Sequence, residues 1–367
     1  MTDSVYSKRE DFDYIQTIPD RFNPFNNDTE NRQFNQDYRK IVPQISVSGC
    51  VIPKEPSSFE KKNIRSRYNK VGYTLIFHTV VSNILAVMLS LIVSVASGNV
   101  MGDSGALSMS VGGISYLIAN VSTFLLGCHM LNIPITEVFS KPDIKSKDLT
   151  KYVTTGWCFQ GACSIIVTLL LTLFSYIGVN LMPDTILDNI DYTSIPMCVS
   201  TILYTCIIAP ITEEMVFRGV VLRGLSTVSQ RFGIVASAVL FGLLHGNVSQ
   251  FVVATVLGIL LGMVATKYNS ILPTIVIHFF MNLAPTVLEM IPYSNDVVSA
   301  CVQNGFYILM IIVGVVTLII NIRTKLFKLP TQNTHQRTRT LPLFLTSIGI
   351  LIVIAMYIAT FIMALMV

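Results

Sequence analysis

Two adjacent carboxylates, Glu213 and Glu214, stand in the segment Ala209-Pro-Ile-Thr-Glu-Glu-Met-Val-Phe-Arg-Gly219. Neighbouring residues on a helix point about 100° apart, so only one of the two can face a given substrate atom. Glu214 and Arg218 fall at i,i+4 on one face, where an ion pair forms naturally. That leaves Glu213 free for other work, and a carboxylate in an apolar site serves as a general base. Downstream come Phe241-Gly-Leu-Leu-His245 and His278-Phe-Phe-Met-Asn282. His278 and Asn282 are one helical turn apart and project together. Imidazole and carboxamide suit the orientation of a water and hydrogen bonding to a developing oxyanion. Imidazoles also ligate metals, so a divalent ion such as zinc on Glu213, His245 and His278 and a metal-free site both stay open. There is no HExxH, GxSxG or phosphate-binding glycine loop, which argues against a standard zincin, a serine hydrolase and an NTPase. His78 and His129 lie in apolar stretches with no acidic partner nearby and read as satisfied or lipid-interface histidines, and His335 sits in a basic loop.

The elements that must carry these groups are membrane helices. The chain has 367 residues, 52% apolar and only 13% charged, where a soluble domain has about 25% charged. Of 21 acidic residues, ten lie in the polar N-terminal stretch and nine in loops or near span ends, which leaves the adjacent pair Glu213 and Glu214; an intramembrane carboxylate is expensive and marks function by default. The seven cysteines show no CxxC or finger spacing and read as small apolar fillers. The first 30 residues hold no apolar run, so no cleaved signal peptide is expected.

Residues 1–70 are polar and end in the basic run Lys61, Lys62, Arg65, Arg67, Lys70. They read as a cytosolic, partly disordered tail whose basic end can meet anionic headgroups. Apolar spans are expected at about 73–97, 111–133, 153–181, 195–212, 233–246, 249–266, 271–290, 306–322 and 342–366, each near the ~20 residues a crossing needs. The fold class is therefore all-α: a polytopic integral membrane helical bundle of about eight or nine transmembrane helices. It divides into N-terminal helices at 71–194, a chemistry-bearing core at 195–290 and C-terminal helices at 291–367. With the N-terminus cytosolic, the loops at 98–110, 182–194 and 291–305 face outward and carry no Lys or Arg, as the positive-inside rule requires.

Glu213-Glu214-xxx-Arg218, Phe241-xxx-His245 and His278-xxx-Asn282, in that order on successive apolar helices, resemble the three motifs of the CAAX protease and bacteriocin-processing (CPBP) family of intramembrane endopeptidases, the type II CAAX prenyl endopeptidase or abortive-infection group. The resemblance covers about residues 195–290. It implies an intramembrane peptidase in the cell membrane acting on membrane-associated, prenylated or hydrophobic peptides. Glu213 and His245 would activate the water, His278 and Asn282 would stabilise the oxyanion, and Glu214, Arg218 and Phe241 would support them. The partners implied are membrane lipids and a peptide or lipidated protein substrate, with no nucleic acid. Two other readings compete: a non-catalytic bacteriocin self-immunity protein and a proton-coupled transporter, although no internal repeat is evident.

One geometric difficulty stands. With the fourth span ending at 212, Glu213 lies at one end of its helix and His245 at the far end of the short fifth segment. Upright, they would be up to about 20 Å apart at 1.5 Å per residue. They converge only if the fifth segment tilts or re-enters, or if the Glu helix lies deeper. Pro210 and Thr212 point to a break or helix start beside the glutamates. Gly242, Gly246, Gly258 and Gly262 would permit close helix contacts.

Overall fold

The computed structural model describes residues 58–97, 105–178, 192, 194–321, 327–329 and 340–366. Of these, 87% are helical and none is in a strand. The helices are α1 (Ser58–Ser97), α2 (Gly105–Leu131), the single turn α3 (Ile135–Val138), α4 (Ser146–Tyr176), α5 (Ile195–Leu225), α6 (Gln230–Leu244), α7 (Val248–Tyr268), α8 (Leu272–Glu289), α9 (Asp296–Asn321), the short α10 (Thr340–Leu345) and α11 (Ile348–Met366). Seven are long and apolar enough to cross a membrane, and α6 and α11 are shorter apolar helices. The chain is thus an all-α polytopic membrane bundle. Most of the expected tail, residues 1–57, lies outside the described residues, as do 98–104, 179–191 and 330–339. The basic run from Lys61 to Lys70 is helical and forms the opening turns of α1.

The helix α5 is the centre of the bundle. Its C-terminal half (Val216, Phe217, Val220, Val221, Leu225) packs into one apolar core with α1, α2, α6 and α11. A second core joins α4, α7 and α8 through Tyr152, Leu260, Leu261, Ile277 and Met281. The helix α11 crosses α1 where Gly72 meets Gly349. A Cβ on Gly72 would lie 2.2 Å from the Gly349 carbonyl carbon, so no larger residue fits. The outer faces of α1, α4 and α9 carry large exposed aliphatic side chains, as lipid-facing helices do.

The expected fourth span is corrected in two respects. It does not end at 212, and nothing breaks at Pro210. The rod runs on to Leu225, and it does so by changing its winding. Ile202–Ile208 and Met215–Val221 are π-helical turns around an α-helical stretch, Ala209–Glu214. In the first π turn the Ala209 N–H bonds to the Tyr204 carbonyl, five residues back. The next donor in that pattern would be Pro210, which has no N–H. The wider turn absorbs the proline and leaves the Thr205 carbonyl unpaired along the helix. π turns of this kind concentrate at functional sites.

Candidate active site

Glu213 and Glu214 diverge as two consecutive helical residues must. Glu214 is completely buried (0% exposed), and its Oε1 accepts from Arg218 Nη1 at 2.8 Å. Arg218 is itself 2% exposed. Its guanidinium lies 4.4 Å from the centre of the Phe241 ring, with Nη2 3.5 Å from the Gly258 carbonyl. The cation is therefore neutralised, stacked and hydrogen-bonded inside the bundle. Glu213 turns the other way and accepts at Oε1 from the Tyr116 hydroxyl on α2, 3.0 Å away.

The α8 residue His278 fits between the two carboxylates. Nδ1 is 2.9 Å from Glu214 Oε1 and Nε2 is 3.8 Å from Glu213 Oε2. A carboxylate ion-paired to arginine only accepts, so Nδ1 carries the proton, and in the neutral imidazole Nε2 holds a lone pair. Asn282, one turn on, also faces α5. Its Nδ2 donates to the Thr205 carbonyl at 2.7 Å, the group orphaned by the π turn and Pro210. An equivalent repair occurs within α8. Pro285 has no N–H for the Met281 carbonyl, and Gln160 of α4 supplies one from Nε2 at 3.2 Å. Beside it, Trp157 Nε1 donates to the Phe280 carbonyl at 3.1 Å.

His245 closes α6. Ser229 caps the start of that helix by accepting from the Phe232 N–H at 3.3 Å. Gly246, at φ +69°, turns the chain into α7, whose N-cap Asn247 accepts from the Gln250 N–H at 2.8 Å. Only glycine adopts that φ without strain. Phe241 sets the level of His245. Its ring meets Phe217 at 4.9 Å and Arg218 on α5. One turn before Arg218 on α5 stands Glu214, and one turn after Phe241 on α6 stands His245. The separation of about 20 Å rested on a fourth span ending at 212; α5 continues past Arg218, so the glutamates are mid-helix. Close approach of α6 and α7 at glycine is seen too: a Cβ on Gly242 would lie 2.7 Å from the Phe251 carbonyl oxygen.

The imidazoles of His245 and His278 both stand edge-on to Phe241, at 5.0 and 5.9 Å between centroids. His245 Nδ1 is 2.9 Å from the Phe241 carbonyl. That oxygen only accepts, so Nδ1 is the donor and, in the neutral imidazole, Nε2 is the acceptor. The imidazole paired with Glu213 is that of His278. Among the described residues no three His, Cys, Asp or Glu side chains are grouped as metal ligands. The conditional set Glu213, His245 and His278 is not among such groups.

Sequence reasoning missed the contribution of α2. Tyr116 holds Glu213, and Asn120 donates to the Thr212 hydroxyl at 3.0 Å. No spacing signal links residues more than 90 positions apart. The expected bystander His78 is buried edge-on to Tyr116, 5.7 Å between ring centres. His129 is exposed at the end of α2, and His335 lies outside the described residues.

Fold and site together define a helical membrane protein with a buried carboxylate–imidazole–guanidinium centre. Residues 195–284, about a quarter of the chain, match the family model described as type II CAAX prenyl endopeptidase Rce1-like. That stretch contains α5 to α8 up to Asn282 and so every motif residue named above. That stretch is thus similar to the membrane protease domain that the model describes. No curated protein and no solved structure matches the chain.

Proposed function

We propose that this protein is an intramembrane endopeptidase that hydrolyses peptide bonds of membrane-associated substrates, prenylated or otherwise hydrophobic, with Glu213 as general base. The observation that carries this reading is the 3.8 Å separation between Glu213 Oε2 and His278 Nε2. Both atoms accept, and the other polar atom of each group is already engaged, by Tyr116 and by Glu214. A water beside that gap donates one hydrogen to each and turns its own lone pair toward a substrate carbonyl. Glu213 takes the proton as the oxygen attacks. The tetrahedral oxyanion accepts from Asn282, whose Nδ2 has a second hydrogen beyond the one given to Thr205. Glu213 then returns the proton to the leaving amine as the C–N bond breaks. Glu214 and Arg218 orient His278, and His245, which also meets the Phe241 ring, offers a second acceptor, Nε2. This reading moves His278 from the oxyanion to the water. The N-terminus is cytosolic and the chain resides in the cell membrane, a reading supported by the absence of Lys and Arg from the segments 98–110, 182–194 and 291–305.

The test is a comparison of new peptide N-termini in membranes bearing the wild-type chain and Glu213→Gln. A positioned general base contributes about 10²–10⁴-fold, so the variant should lose the cleavage products while staying folded. Product formation at the wild-type rate in folded Glu213→Gln would end this assignment.

A further inference from the structure

We infer that Tyr116, on a helix outside the matched stretch, is the positioning residue that aims Glu213 at the reacting water. The inference rests on Glu213 being the base. Glu213 has two directions open to it. Arg218 lies one turn and a residue further along α5, already shared with Glu214, and an unrestrained carboxylate would swing toward that cation. The Tyr116 hydroxyl, 3.0 Å from Oε1, holds it on the opposite side and leaves Oε2 toward His278.

Tyr116 is in turn fixed rather than incidental. Its ring is gripped edge-on by His78 of α1 at 5.7 Å and 83° and by Tyr204 of α5 at 6.0 Å and 82°. One turn along α2, fully buried Asn120 donates to Thr212 Oγ1 at 3.0 Å, and Thr212 donates to the Ile208 carbonyl at 2.8 Å. α2 therefore grasps two consecutive residues of α5, Thr212 and Glu213, through side-chain oxygens. Such bonds set both the axial level and the rotation of one helix against the other, which apolar contacts between membrane helices do not. The role of α1 and α2 follows: they complete a site whose recognisable motifs all lie elsewhere.

The experiment uses the full chain in liposomes, with Tyr116→Phe and Glu213→Gln singly and together. Phe keeps both ring contacts and removes one oxygen. Tryptophan emission reports folding, because Trp157, the single tryptophan, sits against α8. The direct readout is the infrared carboxylate stretch. Tyr116→Phe should shift one carboxylate band, and that shift should be absent when Glu213→Gln is the background. The cleavage readout is the rate of appearance of the Glu213-dependent peptide termini. Tyr116→Phe should lower it about 10- to 100-fold, in line with the loss from small misplacements of a catalytic group. A folded Tyr116→Phe with an unmoved carboxylate band, or with a shifted band and wild-type cleavage, overturns the inference. Cleavage retained in Glu213→Gln instead overturns the proposed function, and the band shift still decides whether Tyr116 holds Glu213.

Discussion

The buried pair Glu214–Arg218 makes a quantitative prediction about what holds the site. The groups meet at 2.8 Å, with side-chain exposures of 0% and 2%. Taking charge centres about 4 Å apart and an effective dielectric of about 20, their attraction is about 4 kcal/mol. Removing Arg218 by Arg218→Met strands a carboxylate with His278 as its remaining partner at 2.9 Å. Breaking a buried pair this way costs about 3–5 kcal/mol, a shift in the unfolding equilibrium of two to more than three orders of magnitude. Glu214→Met should cost less, because Arg218 keeps the Phe241 face and the Gly258 carbonyl; a desolvated cation–π contact is worth about 2 kcal/mol. The double variant Glu214→Met/Arg218→Met removes both charges and should lie within about 1 kcal/mol of wild type. It should be inactive all the same, since His278 loses the carboxylate that orients it. Unfolding in mixed micelles, followed by Trp157 emission, gives all four corners of the cycle. If Arg218→Met loses less than about 1 kcal/mol, or the double variant is as unstable as the worse single, the pair is not the buried coupled unit described here.

Two further predictions concern the proline repairs, both read by the same unfolding assay. Asn282→Leu should destabilise by about 1–2 kcal/mol by stranding the Thr205 carbonyl, and by much less in a Pro210→Ala background, where residue 210 regains an N–H; equal losses in both backgrounds would contradict the repair. Gln160→Leu should cost about 1 kcal/mol and shift the Trp157 emission, because Met281 loses its donor beside the Trp157–Phe280 bond; an unmoved emission and unchanged stability would show that Pro285 needs no help from α4.

Much of the site was legible because helical geometry acts over short range. Adjacency split Glu213 from Glu214, i,i+4 spacing paired Glu214 with Arg218, and one-turn spacing set His278 and Asn282 on the face toward α5. The end of α5 was misread for a physical reason. Arg218 and Arg223 look like the edge of a span to any measure of hydropathy, yet both are buried. Arg223 Nη2 reaches the carbonyls of Glu137 and Asn269 at 3.1 and 3.3 Å. Charges satisfied within a bundle do not end a helix, and composition cannot distinguish them from charges in water. Pro210 was read as a break for the same kind of reason, since the compensating donor, Asn282, is 72 positions away. Tyr116 was invisible because its partner is on another helix and its residue type is ordinary in an apolar span.

These long-range partners share a logic. Between membrane helices, lipid-like side chains supply contact but little resistance to sliding or rotation. A polar group with no partner in its own helix does supply it, because leaving it unpaired in hydrocarbon is costly. Pro210 opens the Thr205 carbonyl to Asn282, which joins α5 to α8. Pro285 opens the Met281 carbonyl to Gln160, which joins α8 to α4. The Tyr116–Glu213 and Asn120–Thr212 bonds join α5 to α2. The defects in α5 and α8 therefore act as fixed points that register four helices around the glutamates. Straight α-helices of the same hydropathy would bury the same apolar area and leave Glu213 and His278 free to drift apart. On this argument the prolines belong to the site as much as the charges do, and replacing one while keeping every charged group intact should still disturb the 3.8 Å approach on which the proposed hydrolysis depends.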